Sequence, residues 1–374
     1  MTTALRPVWA EIDLDAVRAN VGAWSALVEP AAVCAVVKAD GYGHGAVPVG
    51  RAAVEAGAAC LAVALVEEGE QLRAAAIHKP ILVLSEPVPE AAEAVVANQL
   101  TPVVYTAGGI DALAKAASAG GHASLPVHLK VDTGMHRVGC TPDAALELAR
   151  HVVERPELSL AGVCTHFAVA DEPDNDFTRR QVAAFARVLA EFRAAHISTG
   201  IIHACNSAAA ITAPTARYDM VRIGIGVYGI APAPTLADQI DLVPALSVKA
   251  RVSYVQNLGA GEGISYGLRY ATTRPTRIAT VPIGYADGVP RELSLQGGEV
   301  LVRGRRYPMA GTVTMDQLMI DVGDAPVEVG DEVVLIGRQG NELITAQDWA
   351  DRVGTIAYTI VCGIGPRVPR TYVS

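Results

Sequence analysis

Aromatic side chains make up only 5% of this 374-residue chain although 51% of it is hydrophobic, so the core must be filled by Ala, Val, Leu and Ile rather than by large rings. Side chains of that kind suit parallel strands buried beneath helices. Long apolar runs are also missing. No segment approaches the length of a membrane helix, and the opening MTTALRPVWAEIDLDAV lacks the apolar stretch of a secretory signal, so a cytoplasmic protein without a membrane partner is expected. Basic runs are absent too. With 30 Lys+Arg against 39 Asp+Glu and a net charge of -9, nothing reads as a nucleic-acid footprint. The 6 cysteines carry no CxxC spacing and sit among apolar neighbours, which points to buried, reduced thiols. The 9 histidines include no HExxH and no Cys/His cluster, so no essential metal is expected.

What the chain does have is a repeating pattern. From residue 33 to about 229, short β-branched runs alternate with helix-patterned stretches such as GAVPVGRAAVEAG and PDAALELARHVVE. The runs fall at 33–38, 58–65, 80–85, 100–106, 127–133, 160–167, 201–207 and 220–229, which makes eight strands. A doubly wound open sheet would carry GxGxxG after its first strand, and none is there. A (β/α)8 TIM-type barrel over residues 12–240 is therefore the expected α/β fold. From 241 to 374 the pattern changes to alternating apolar and polar residues, as in ALSVKARVSYV, which predicts a mostly-β C-terminal domain. One helix interrupts it, TAQDWADRVG, with Thr345 as N-cap and Gly354 as stop. The early segment PVWAEIDL reads as a strand that can join this domain, with residues 7–12 as its core.

In a barrel of this type, reactive groups come from the C-terminal ends of the strands. Lys38 ends the first; Lys130, Asp132 and Arg137 cluster at the fifth; His166 ends the sixth; Asn206 and Ser207 the seventh; Arg222 and Gly224 lie in the eighth. Lys38 follows the apolar run VCAVV, where desolvation favours the neutral, nucleophilic amine needed for a Schiff base. An isolated strand-end lysine could equally snorkel to solvent. The segment after it, ADGYGHG, offers glycines that let backbone amides turn toward an anion, plus the Tyr42 phenol. Lysine and loop together imply a phosphate-bearing ligand.

These residues resemble the alanine racemase family along nearly the whole chain. VVKADGYGHG resembles its cofactor-lysine segment, and HLKVDTGMHRVG, THFAVAD, HACNSAA and MVRIGIGVYG the ends of its fifth to eighth strands. ISYG, PIGYADG, GTVTMDQ and RVPR continue the match in the β domain. The resemblance implies that Lys38 holds pyridoxal 5'-phosphate and acts as base on one face of the substrate α-carbon, with Tyr266 on the other. Two opposed bases are what a racemase needs, because a proton removed from one face must return from the other. A phenol has a reference pKa of about 10, so nearby cations must stabilise its phenolate. Arg137 is implied in that role and in binding the substrate carboxylate.

Further roles follow from the same resemblance. Arg222 faces the pyridine nitrogen as a permanent donor, His166 packs against the cofactor, and Tyr42, Asn206, Ser207, Gly224, Ile225 and Tyr358 serve its binding, mostly at the phosphate. Lys130 matches a lysine that some members carbamylate. Met315, Asp316 and Tyr285 line the substrate entrance. Tyr266, Tyr285 and Met315 belong to the β domain, which in the family reaches the other subunit's barrel, so a head-to-tail homodimer is implied. The product implied is D-alanine for peptidoglycan. Asp40, Gly41, His136 and Thr314 depart from the commoner residues, and none removes a reactive group. Other readings are a broader small-amino-acid (serine) racemase, a barrel-type decarboxylase, which usually has a Gly-rich phosphate loop not present here, and a non-catalytic carrier, which lacks the β domain.

Overall fold

The computed structural model describes residues 5–121 and 124–374. The chain divides into two compact units: a barrel unit of Ala16–Gly41 and Ala46–Val243, and a β unit of Met1–Asp15, Tyr42–Gly45 and Pro244–Ser374.

Strand β1 (Val8–Asp13) belongs to the β unit, and the next eight strands close on themselves as an all-parallel barrel. They are β2 (Ala32–Val36), β3 (Cys60–Val63), β4 (Ile81–Val83), β5 (Thr101–Val104), β6 (Leu125–Lys130), β7 (Leu158–Cys164), β8 (Ile201–His203) and β9 (Met220–Ile223). The ring closes where β2 pairs with β9, Ala32 opposite Met220 and Cys34 opposite Arg222. Helices such as Ala107–Ala119 and Pro142–Val153 pack outside, and each begins at a threonine, Thr106 or Thr141, whose hydroxyl accepts an otherwise orphaned amide proton. Both faces of a barrel strand are buried, hence the near-continuous apolar runs that mark them in the sequence.

The strands are shorter than the runs predict. Residues 33–38, 160–167, 201–207 and 220–229 each read as one strand, yet pairing stops at Val36, Cys164, His203 and Ile223. Burial continues past those points: Val37, Thr165, Ala204 and Ile225 are all buried. Hydrophobicity reports burial, and it persists into the barrel mouth after the ladder has ended. Lys38, His166, Asn206, Ser207 and Gly224 therefore lie just beyond their strands, not within them.

In the β unit, β1 pairs antiparallel with Leu246–Arg251 and parallel with Arg370–Val373. A three-stranded sheet of Tyr254–Leu258, Thr276–Val281 and Leu318–Gly323 holds a small core of Ile264, Ile278 and Ala310. Strand Leu318–Gly323 alternates buried and half-buried side chains, the period-2 pattern of a sheet covered on one face. The helix Ala346–Val353 starts at Thr345, whose hydroxyl accepts from Asp348 N, and ends at Gly354 in left-handed geometry. None of the six cysteines forms a disulfide, but only five are buried; Cys362, expected inside, is exposed at the end of a short helix.

Candidate active site

The barrel is less uniformly aliphatic than barrel interiors commonly are. Side chains two apart on a strand share a face, so Arg222 shares one with Met220 and, through strand register, with Cys34. By the same rule His128 and Lys130 share a face of β6. A Cβ at Gly162 would sit 2.6 Å from the His128 ring, so this glycine leaves the space that the imidazole occupies.

Arg222 is 5% exposed and organises this interior. One guanidinium nitrogen donates to His203 Nδ1 at 2.7 Å. The other shares its protons among the carbonyls of Thr165 (2.8 Å) and Ala204 (2.9 Å) and His166 Nδ1 (3.0 Å). A guanidinium can only donate, so both Nδ1 atoms must be acceptors. His203 then carries its proton on Nε2 and donates it to His128 Nδ1 at 2.8 Å. Burial, and next to it the Arg222 charge, push His203 well below the usual histidine range and His128 down to about 4, so both rings are neutral at pH 7. Every hydrogen-bond partner of Arg222 named here is neutral, and its positive charge stays available to a ligand.

Further cations converge on the same mouth. Burial, then Arg222, Lys130, Arg137 and Lys38, hold His166 well below its ordinary value. Lys130 is itself buried, its ammonium 3.4 Å from the Leu84 carbonyl, and desolvation is the largest cause pulling it down to about 8. Arg137 is exposed, on the loop that Asp132 orders by accepting the amides of Gly134 (2.9 Å) and His136 (3.1 Å) and facing the His136 ring at 3.1 Å.

Lys38 opens a tight turn, Lys38–Tyr42, in which Ala39, Asp40 and Gly41 have φ of 53°, 49° and 61°. Left-handed backbone costs a non-glycine residue roughly 1–2 kcal/mol. Across the barrel, Asn206 and not Ser207 caps the helix Ser207–Thr212, by accepting from Ala209 N at 2.9 Å. The Ser207 hydroxyl instead accepts from Gly224 N at 3.0 Å and keeps its own proton for another acceptor. Ile225 begins a short 3-10 helix whose Tyr228 donates to the Val36 carbonyl at 2.9 Å, tying this segment to β2.

In the β unit the candidate side chains are presented outward. Tyr266 is 72% exposed, Met315 52% and Tyr285 41%. Their backbones are fixed: Thr312 Oγ1 donates to the Tyr266 carbonyl at 2.8 Å, Tyr285 N to the Thr314 carbonyl at 3.0 Å, and Ala286 N to the Met315 carbonyl at 3.0 Å. Asp316 accepts from Arg367 at 2.6 Å. A cavity of about 700 Å³ is lined by Tyr266, Leu258, Leu268, Gln317 and Met319. The rings of Tyr42 and Tyr358 lie 6.2 Å apart; burial and the neighbouring Tyr358 push the Tyr42 phenol up.

Lys38, Lys130, Arg137, His166 and Arg222 are the residues the sequence marks as candidates; His128 and His203 are not among them. Both were visible as polar residues on buried strands, His128 two places before Lys130. Expected separations along the chain carried no hint that they touch.

Fold and residues together define a class: an eight-stranded α/β-barrel protein with lysine, arginine and neutral histidine at its strand ends and an attached β unit. The family model for the alanine racemase N-terminal domain matches residues 12–232, and that for the C-terminal domain residues 245–372. The chain belongs to the alanine racemase family. It is 51% identical to the alanine racemase of Symbiobacterium thermophilum, over 98% of this chain and 97% of that one. The crystal structure of alanine racemase from D-cycloserine-producing Streptomyces lavendulae is similar with a TM-score of 0.93 and 42% identity, covering 99% of this chain and 97% of that one. A histidine racemase from Leuconostoc mesenteroides is also similar, with a TM-score of 0.91 and 31% identity over 99% of both chains.

Proposed function

We propose that this chain interconverts L-alanine and D-alanine with pyridoxal 5'-phosphate as cofactor, by a two-base mechanism using Lys38 and Tyr266. The observation that carries the reading is the convergence of four basic side chains, Lys38, Lys130, Arg137 and Arg222, around His166 at the barrel mouth of a member of this family. The residues present fit such a cofactor. A dianionic phosphate and a substrate carboxylate are the charges such a mouth lacks, and Arg222 has its charge directed at neutral partners only. When bound, pyridoxal phosphate supplies the electron sink that makes the α-proton of an amino acid removable.

Lys38 would hold the cofactor covalently and afterwards move a proton at its amine. Arg222 would donate to the pyridine nitrogen without surrendering a proton, since a guanidinium remains charged at any working pH. His203 and His128, neutral and fixed in one tautomer, keep that guanidinium oriented. Ser207, Asn206, Gly224, Ile225, Tyr42 and Tyr358 are assigned to cofactor binding, with the free Ser207 hydroxyl proton as the group that suits a phosphate oxygen. Tyr266 would move the second proton, and Arg137 would bind the substrate carboxylate and stabilise the phenolate by its charge. Met315, Asp316 and Tyr285 are assigned to the substrate entrance. The exposure of Tyr266, Tyr285 and Met315 supports a head-to-tail homodimer in which each copy lends these side chains to the other.

No helix among the described residues is long and apolar enough to cross a membrane. We assign the enzyme to the cytoplasm, where D-alanine is made for peptidoglycan. The similarity to a histidine racemase favours testing substrates beyond alanine. Incubation of the purified protein with L-alanine, L-serine and L-histidine, followed by enantiomer analysis, tests the assignment alongside an absorbance spectrum for lysine-bound cofactor. Racemised alanine and a visible cofactor band are expected; no turnover of alanine by cofactor-saturated protein rejects it.

A further inference from the structure

The strained turn after Lys38 is held from outside by a carboxylate that the mechanism does not use. Glu68 lies in the helix Val66–Ala74, which follows the neighbouring strand β3. Its Oε2 accepts the amides of Ala64 (2.8 Å) and Leu65 (3.1 Å), the second of which completes the start of its own helix. Its Oε1 accepts the amide of Ala39 at 2.6 Å. That last bond is no part of any helix cap. It joins the first turn of the helix after β3 to the turn after β2, at the peptide unit directly following Lys38.

The Ala39 N–H belongs to the rigid peptide plane that also contains the Lys38 carbonyl. The preceding plane is held where Gly41 N donates to the Val37 carbonyl, so with Glu68 on the following plane both backbone torsions of Lys38 are constrained, and with them the direction in which the side chain leaves the strand end. The turn needs such a tie. Five consecutive residues, Ala39 to Gly43, have positive φ, and three of them, Ala39, Asp40 and Tyr42, carry a Cβ. Such geometry persists only where surrounding contacts over-determine it. Inside the turn, Gly41 N donates to the Val37 carbonyl at 2.9 Å and Asp40 Oδ1 accepts from Ala46 N at 2.9 Å. Glu68 adds the contact at the first left-handed residue, from a separate element of the barrel. A charged acceptor makes the stronger class of hydrogen bond.

We infer that Glu68 is a positioning residue for Lys38, its carboxylate holding the left-handed turn that aims the amine into the barrel mouth. The inference rests on the reading that Lys38 carries the cofactor.

The test uses full-length protein stripped of cofactor and given pyridoxal phosphate, with borohydride added at intervals and the reduced adduct located by peptide mass. In Glu68→Ala, capture at Lys38 should slow by about tenfold, the scale of one charge-assisted hydrogen bond. In the reloaded enzyme, the α-deuterium isotope effect should grow for one alanine enantiomer only, because Lys38 serves one face; general damage to the fold would change both. Adding Ala39→Gly to Glu68→Ala should restore most of the capture rate, since glycine adopts positive φ without strain. If Glu68→Ala does not fold, Glu68→Gln, which has one acceptor oxygen in place of two, takes its place in the same assays. Capture at Lys38 at the wild-type rate, or isotope effects that grow equally for both enantiomers, overturns the positioning role. Label appearing on a different lysine in wild-type protein overturns the reading of Lys38 itself and the inference with it.

Discussion

In the barrel unit Arg222 is 5% exposed and spends its protons on two histidines and two carbonyls of its own chain, whereas in the β unit Tyr266 is 72% exposed and only its backbone is fixed. One unit finishes its chemistry internally. The other leaves its candidate side chain exposed. Substitution should therefore affect the two units differently, since a buried network is costly to break and an exposed ring is not.

The largest contrast is expected between Tyr266→Phe and Arg222→Ala. Tyr266→Phe should lower racemisation by about two orders of magnitude or more, the scale of a lost acid–base group, with stability unchanged within about 0.5 kcal/mol. Arg222→Ala should cost about 3 kcal/mol of stability as well as activity, because it strands His203 and two buried carbonyls without a donor. Denaturant melts beside initial rates measure both; a Tyr266→Phe protein as destabilised as Arg222→Ala would erase the distinction.

A smaller effect sharpens the barrel side of the comparison. Lys130 is pulled down to about 8, mainly by desolvation, so the neutral amine gains population as pH rises through that value. We propose that this amine attacks carbon dioxide, forming an N–C bond and releasing one proton, and that the resulting carbamate orients Arg137. Lys130→Ala should then be about tenfold weaker and partly recovered by small carboxylates, and removal of carbonate should slow the wild type near pH 9. Full activity of Lys130→Ala without additive would reject the carbamate.

How much of this was legible in the sequence differed between the same two units. The eight barrel strands, the β-unit alternation and the helix from Thr345 to Gly354 could all be read from period and cap residues, because local physics decides them. Strand ends could not, since the apolar runs continue through Val37, Ala204 and Ile225 after pairing has stopped. Ser207 illustrates a further limit: it stands where a cap could be, yet Asn206 caps the helix and Ser207 turns to Gly224, a partner 17 residues away. The His128–His203 contact joins residues 75 apart and leaves no local trace. Glu68 reads as an ordinary helix-start carboxylate; only the fold brings Ala39 to it.

The central claim is that the site is completed between copies, Lys38 from one and Tyr266 from another. Purified Lys38→Ala and Tyr266→Phe proteins, each nearly inactive, should be mixed under conditions that exchange subunits. In a heterodimer one site would carry both lesions and the other neither, so roughly a quarter of wild-type activity should return at random exchange. Activity no higher than that of the separate variants after demonstrated exchange would contradict the account.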